Sequence, residues 1–143
     1  MRIPLQLETR DEGFMRFPMM SVDFGFGSRG YHAKALIDTG ADLQALDETL
    51  LQNLGCPRTG EMHRVRTVHG EKNFHRYRVI IEFPVIQAAS EIEVTGIDLS
   101  GRTYQAILGV PLLELGILHL NPRNESYFEL FADRVASPPT SSS

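Results

Sequence analysis

Alternation of hydrophobic and polar residues predicts two β-strands in the first third of the chain. Between positions 19 and 26 every second side chain is apolar, namely Met20, Val22, Phe24 and Phe26, which is the period of a strand with one buried face. A glycine-rich segment at 27–30 separates this stretch from a second apolar run at 31–37. The pattern therefore predicts a β-hairpin.

A helical period replaces the alternation downstream of this hairpin. Leucines recur at three- and four-residue spacing between positions 46 and 54, as on one face of a helix. Asp47 is a suitable N-cap, Gly55 is a suitable C-terminal residue, and Pro57 forbids continuation. We expect a helix over 47–55.

The rest of the chain returns to strand-like patterns and defines the expected domain. The segments 62–68 and 74–83 form a second predicted hairpin, strands are expected at 90–99, 103–108 and 126–131, and a short proline-initiated helix at 111–115. Many short strands with two small helices predict an all-β domain with a closed, barrel-like sheet. We place this domain at 17–131, with an N-terminal extension at 1–16 and a disordered Ser/Pro-rich tail at 132–143.

Composition narrows the class of protein. A chain of 143 residues with 42% hydrophobic residues can form one domain with a core, and its net charge of −4 gives no reason to expect nucleic acid as a partner. No apolar run approaches the roughly 20 residues that cross a bilayer, and the N-terminus lacks the apolar run of a signal peptide. The single cysteine, Cys56, excludes an internal disulfide, so we expect a structural thiol in a cytoplasmic protein without a membrane partner.

Glycines at 25, 27 and 30 have the spacing of a dinucleotide-binding loop. That motif requires a helix next, so that its N-terminus can hold a pyrophosphate. The apolar strand 31–37 follows instead. We interpret these glycines as turn residues and expect no cofactor.

Asp38-Thr39-Gly40-Ala41 comes directly after that apolar strand. A carboxylate at a strand end can point into a cleft, and Gly40 lets a ligand chain approach closely because it has no side chain. On its own the tripeptide also suits a plain turn. Downstream, Ile107-Leu108-Gly109 leads into the short helix, and a buried strand that turns into a helix would explain this segment in isolation.

Together the two segments resemble the retropepsin-like aspartic peptidases, the family of single-domain retroviral proteases and their cellular and bacterial relatives. Over residues 17–130 the order matches: a hairpin, the Asp-Thr-Gly-Ala loop, a helix, a hairpin in the place of the family's flap, and the Ile107-Leu108-Gly109 element. The resemblance implies a closed all-β fold and an endopeptidase that acts on extended peptides.

The resemblance also implies a homodimer without a metal or cofactor. In that family one Asp-Thr-Gly loop from each subunit meets its copy at a two-fold axis, and this chain has a single such loop. Two carboxylates about 3 Å apart cannot both ionise, so they share a proton. The ionised member can then activate water while the protonated one donates to the scissile carbonyl.

Individual residues receive roles through the resemblance alone. Asp38, Thr39 and Gly40 would form the catalytic loop, with Thr39 bonding its counterpart across the axis. The substrate-binding residues would be Ala41, Asp42 and Ile107 beside the aspartates and Val68, His69 and Gly70 at the flap tip.

The chain departs from the viral pattern after Gly109, at the flap tip, and at its ends, where the segment 1–16 and the tail after 131 have no counterpart in the family. Val110 stands where viral members usually have an Arg that ties the loop to the neighbouring acid, so the bracing of the loop must differ. The flap tip is not glycine-rich.

The region 58–78, which contains this tip, holds six basic residues against two acidic ones, a net charge of +4. We interpret that charge as the exposed face of a hairpin, with steering of acidic peptides as the alternative.

Three further interpretations complete the expectations. His63, His69 and His75 lack supporting cysteines or clustered carboxylates, so no metal site is expected. A non-catalytic dimeric peptide-binding module on the same fold is an alternative to the enzyme. A chain that is monomeric alone and active only with a partner is another.

Overall fold

The computed structural model describes residues 1–9 and 15–131. Strands dominate these residues and two short helices join them. The strands are β1 (Arg2–Thr9), β2 (Arg16–Phe26), β3 (Arg29–Ile37), β4 (Ala45–Asp47), β5 (Arg58–Thr67), β6 (Gly70–Phe83), β7 (Ala88–Ile97), β8 (Ala106–Leu108), β9 (Gly116–His119) and β10 (Ser126–Leu130); the helices are α1 (Glu48–Leu54) and α2 (Val110–Leu113). The prediction of a mostly-β protein is confirmed.

One sheet contains all ten of these strands, in the order β5-β6-β7-β4-β8-β3-β2-β1-β10-β9. Strand β2 pairs with β1 through its first half and with β6 through its last residues, from Asp23 opposite Glu82 to Gly25 opposite Ile80. The pairing of β2 with β6 closes part of the sheet into a ring of six strands. β5 and β9 lie at the two ends of the sheet.

The core follows from the alternation along the strands. Val22 and Phe24 of β2 face inward together with Val79 and Ile81 of β6, and all four are almost fully buried. The opposite faces of β2 and β3 carry a smaller cluster, built from Met19, Leu36, Leu99 and Tyr104. Both faces of the β2–β3 hairpin are therefore covered near the paired residues Met19 and Leu36.

Helix α1 has the ends that its sequence predicts. Asp47 accepts a hydrogen bond from the Leu50 backbone N–H at 3.4 Å, and Gly55 adopts the left-handed conformation at φ 77°. The N–H of Cys56 then donates to the Leu51 carbonyl, and the Cys56 side chain is buried. Burial raises the pKa of the Cys56 thiol, as expected for a structural cysteine.

Several strands differ from their predicted extents. Predicted strand 103–108 is reduced to the three residues of β8, and neither β4 nor β9 was predicted. The segment 1–16, which the sequence set apart as an extension, contributes β1, whose Ile3 and Leu5 enter the core while β1 pairs with β2 and β10. Residues 2–9 therefore belong to the sheet.

Two further expectations concern the C-terminal tail and membrane-spanning segments. The tail at 132–143 lies outside the described residues. Within 1–9 and 15–131, neither helix has the length and apolarity needed to cross a membrane.

Candidate functional site

The Asp38 loop connects two strands that flank the same third strand. β8 runs parallel to β3, with Ile37 opposite Leu108, and antiparallel to β4, with Ala45 opposite Ile107. Residues 38–44 leave β3, pass the end of β8 and enter β4. The residue after β8, Gly109, consequently lies against this loop.

Backbone hydrogen bonds hold the loop to the end of β8. The N–H of Asp38 donates to the Leu108 carbonyl at 3.0 Å, and the N–H of Val110 donates to the Ala41 carbonyl at 2.8 Å. A Cβ on Gly109 would lie within 3.0 Å of the carbonyl oxygens of Leu43 and Ala41. Only glycine allows this approach without a shift of the backbone.

The Asp38 carboxylate is held from one side. Its Oδ1 accepts a hydrogen bond from the Gly40 N–H at 2.9 Å, and the Asp38 carbonyl accepts one from the Ala41 N–H at 3.2 Å. Asp38 is half-buried, whereas Thr39 and Gly40 are exposed. Among the described residues, Asp38 Oδ2 accepts no hydrogen bond, so this oxygen is available to a ligand or a second chain.

Gln44 supplies a brace that the sequence did not identify. Its Oε1 accepts a hydrogen bond from the Gly109 N–H at 2.6 Å, while its backbone carbonyl accepts one from Thr95 of β7 at 2.9 Å. Asp42 is exposed and forms no ion pair with another described residue. Gln44 is therefore the side chain that braces Gly109 next to the loop.

An open groove of about 460 Å³ begins at the loop. Three of the predicted substrate-binding residues, Ala41, Asp42 and Ile107, line it. The other lining residues are Leu43, Ala45, Val65, Lys72, Phe74, Thr95, Ile97 and Asp98. The β5–β6 hairpin contributes Val65, Lys72 and Phe74, so this hairpin forms one wall.

The three predicted residues at the hairpin tip do not line this groove. Val68, His69 and Gly70 are exposed, and Val68 reaches 96% exposure. The Thr67 hydroxyl closes the turn by donating to the Gly70 carbonyl at 2.7 Å, and Gly70 has a φ of 113°. In the single chain the tip projects beyond the groove.

The root of the same hairpin is tied to α1 through Tyr77. The buried Tyr77 hydroxyl donates to Glu48 Oε2 at 3.0 Å and accepts a hydrogen bond from Arg58 Nε at 3.2 Å. A Cβ on Gly96 would lie 2.7 Å from the Tyr77 ring. The wall of the groove is therefore anchored at its base, whereas residues 68–70 at its tip do not line the groove.

Part of the hairpin's positive charge is neutralised within the chain. Arg76 pairs with Glu61 at 3.1 Å and with Glu93 at 2.8 Å. Lys72 lies on the groove side and pairs with no acid among the described residues. This distribution agrees with a charged exposed face and leaves one cation beside the groove.

An acidic residue with a stabilised charge stands at the edge of the groove. The Ser100 hydroxyl and then the Ser100 N–H donate to Asp98 Oδ1, at 2.6 Å and 2.9 Å, and lower the pKa of this carboxyl. Asp98 was not among the predicted site residues. Lys72, Phe74 and Ile97 were missed as well, although alternation along β6 puts Lys72 and Phe74 on the face opposite to Val79, which Ile97 of β7 shares.

The arrangement offers the Asp38 carboxylate in a loop next to a largely apolar groove, whose lining includes Asp42 and Asp98 but not Asp38 itself. Such a carboxylate can accept or donate a proton, and the walls can hold an extended chain. No protein-family model matches this sequence, and no curated protein is significantly similar to it.

Proposed function

We propose that this chain is a retropepsin-like aspartic endopeptidase whose active site forms between two copies. One observation carries the proposal. Asp38 heads a glycine loop that is bonded to the end of β8, and this loop opens onto a groove walled by a hairpin.

A second copy is needed because one carboxylate cannot serve as both acid and base. Asp38 Oδ2 has no partner among the described residues, so it is free to share a proton with its counterpart. Strand β9 lies at the end of the sheet, and the exposed side chains Ile117, Leu120 and Phe131 lie on or beside it. Exposed apolar residues on an open sheet edge favour association with another chain.

The proposed reaction is hydrolysis by general acid–base catalysis. The ionised Asp38 takes a proton from a water, the hydroxyl adds to the peptide carbonyl carbon, and the protonated Asp38 of the partner donates its proton to the carbonyl oxygen. Collapse of this tetrahedral species breaks the C–N bond. The leaving nitrogen receives a proton from the aspartate that first accepted one, and the partner's aspartate takes back a proton from a hydroxyl of the tetrahedral species as the new carbonyl forms, which restores the shared proton.

The groove favours a peptide in an extended conformation. Val65, Phe74, Ile97 and Ile107 present apolar surface to it, and apolar side chains next to the cleaved bond would bury themselves there. We further propose a cytoplasmic location, since the single buried Cys56 forms no disulfide and suits a reducing compartment.

Replacement of Asp38 tests the proposal. We expect Asp38→Asn to abolish cleavage of a mixed peptide library, because the amide cannot take a proton from water, while the melting temperature stays near that of the wild type. Asp23→Asn, on β2 outside the groove, is the matched control and should cleave normally.

Two outcomes would reject the enzyme. Equal cleavage by Asp38→Asn and wild type would remove Asp38 from the chemistry. Binding of library peptides without cleavage by the wild type, from pH 4 to 7, would instead support the non-catalytic peptide-binding module.

A further inference from the structure

Three consecutive residues at the end of β8 are bonded to the Asp38 loop. The Leu108 carbonyl receives the Asp38 N–H, the Gly109 N–H is bound by Gln44 Oε1, and the Val110 N–H donates to the Ala41 carbonyl. The first and third bonds join backbone to backbone and are independent of side-chain identity. The bond from Gly109 is the one that depends on a side chain.

Gln44 is suited to this bond by its own attachment. Its carbonyl accepts the Thr95 N–H of β7, and the next residue, Ala45, pairs with both β7 and β8. Gln44 is half-buried and Gly109 is buried. A buried N–H without an acceptor costs about 1–3 kcal/mol in proteins, so loss of Oε1 would favour a displaced Gly109.

Displacement of Gly109 would reach Asp38 through its neighbours. Leu108 and Val110 are the residues to which the two ends of the 38–41 turn are bonded. Gly109 has no Cβ and packs directly against the Leu43 and Ala41 carbonyls, so it cannot move toward these carbonyls without a clash. The position of the Asp38 carboxylate therefore depends on the Gly109 bond.

We propose that Gln44 is a positioning residue, whose amide oxygen locks Gly109 and thereby sets the Asp38 carboxylate for catalysis. This inference rests on the proposed function for its catalytic part. Its structural part concerns the loop alone and is measurable without any substrate.

The test compares an isosteric variant without a good acceptor, Gln44→Met, with Gln44→Glu, which keeps an oxygen at the same position. Gln52→Ala, on the exposed face of α1, is the matched control. Amide exchange by NMR should show the Gly109 N–H of Gln44→Met exchanging about tenfold faster, with faster exchange at Asp38 and Val110, while Gln44→Glu and Gln52→Ala resemble the wild type.

Kinetics of the homodimer supply the second readout. We expect Gln44→Met to lower kcat by roughly 100-fold with KM within about twofold, per active site titrated with a transition-state-mimicking inhibitor, because binding is retained while the carboxylate is misplaced. Gln44→Glu should recover most of kcat. A purely structural role would reduce the number of titratable sites and leave kcat per site unchanged.

Each contrary result has its own meaning. Unchanged exchange at Gly109 in Gln44→Met would overturn the proposal, and so would faster exchange with an unchanged kcat. Absence of cleavage by the wild type would reject the proposed function and with it the catalytic part, whereas the exchange data would still decide whether Gln44 holds the loop.

Discussion

At the scale of single residues, the candidate site depends on glycines, whose missing side chains leave room for neighbouring groups of the Asp38 loop. Gly109 has no Cβ, so the carbonyls of Ala41 and Leu43 can approach it. A Cβ on Gly40 would lie 3.3 Å from Asp38 Oδ1, a tighter contact than usual. Close contact with backbone explains glycine at position 109, where φ is −103° and any residue could adopt the backbone conformation.

Gly109→Ala tests that close contact. The new methyl group would collide with two backbone carbonyls, which cannot rotate away as a side chain can, so we expect the free energy of unfolding to fall by about 1–3 kcal/mol or more. Denaturation in urea measures this change.

Gly30→Ala is the matched control for this prediction. A Cβ at Gly30 would lie 3.7 Å from the nearest atom, the Phe24 carbonyl oxygen, in ordinary contact. Equal stability losses in the two variants would show that Gly109 is not confined by the loop.

At the scale of elements, one residue joins the helix after the loop to the far side of the groove. Asp47 caps α1 through Oδ2 and accepts the Leu99 N–H on Oδ1 at 2.9 Å. Its own N–H donates to the Gln105 carbonyl at 2.9 Å. The capping residue that the sequence predicted therefore also connects α1 to the chain beyond β7 and to the entry of β8.

Asp47→Ala should destabilise the protein more than loss of a helix cap alone. A cap contributes about 1 kcal/mol, and the Leu99 N–H would lose its acceptor as well, so we expect a loss of about 2 kcal/mol. Chemical denaturation provides the measurement.

Thr49→Ala serves as the control, because Thr49 is exposed on α1. Asp47→Asn should fall between the two, since its single carbonyl oxygen can replace one of the two acceptors. A loss in Asp47→Ala no larger than in Thr49→Ala would contradict the dual role.

At the scale of the whole molecule, a single chain presents half of the proposed chemistry. The ring closed by β2 and β6 sets one Asp38 loop at one end of one groove. In the proposed mechanism the second loop comes from another copy of the chain. Activity should therefore respond to the composition of the dimer.

Mixing the wild type with Asp38→Asn chains tests this dependence. Heterodimers would contain one ionisable aspartate and be inactive, so random exchange at equal amounts should leave about half of the original activity, and a ninefold excess about one tenth. Cleavage of a saturating peptide substrate after equilibration measures the effect.

Asp23→Asn chains added in the same amounts should increase the activity, because they can complete an active pair. Activity that stays constant as Asp38→Asn chains are added would show that the chain works without a second copy. Sedimentation of the mixture establishes that exchange has taken place.

Much of the fold could be predicted from local patterns, because the spacing of apolar residues along the chain indicates which face of a strand or helix is buried. For this reason, alternation predicted β2 and β3, and the leucine spacing predicted α1. The signal for β1, apolar residues at Ile3, Leu5 and Leu7, was present and was missed. Strands β4 and β9 span three and four residues, which is too short for a period to register.

The sequence by itself determined the mostly-β class, the β2–β3 and β5–β6 hairpins and the capped helix. Those features depend on neighbouring residues and on the steric needs of glycine. Only the tertiary structure decided that Gln44 reaches Gly109, that Lys72 and Asp98 flank the groove, and that the tip with Val68 stands clear of it. These contacts join residues far apart in the chain, and their geometry follows from how the strands curve and close.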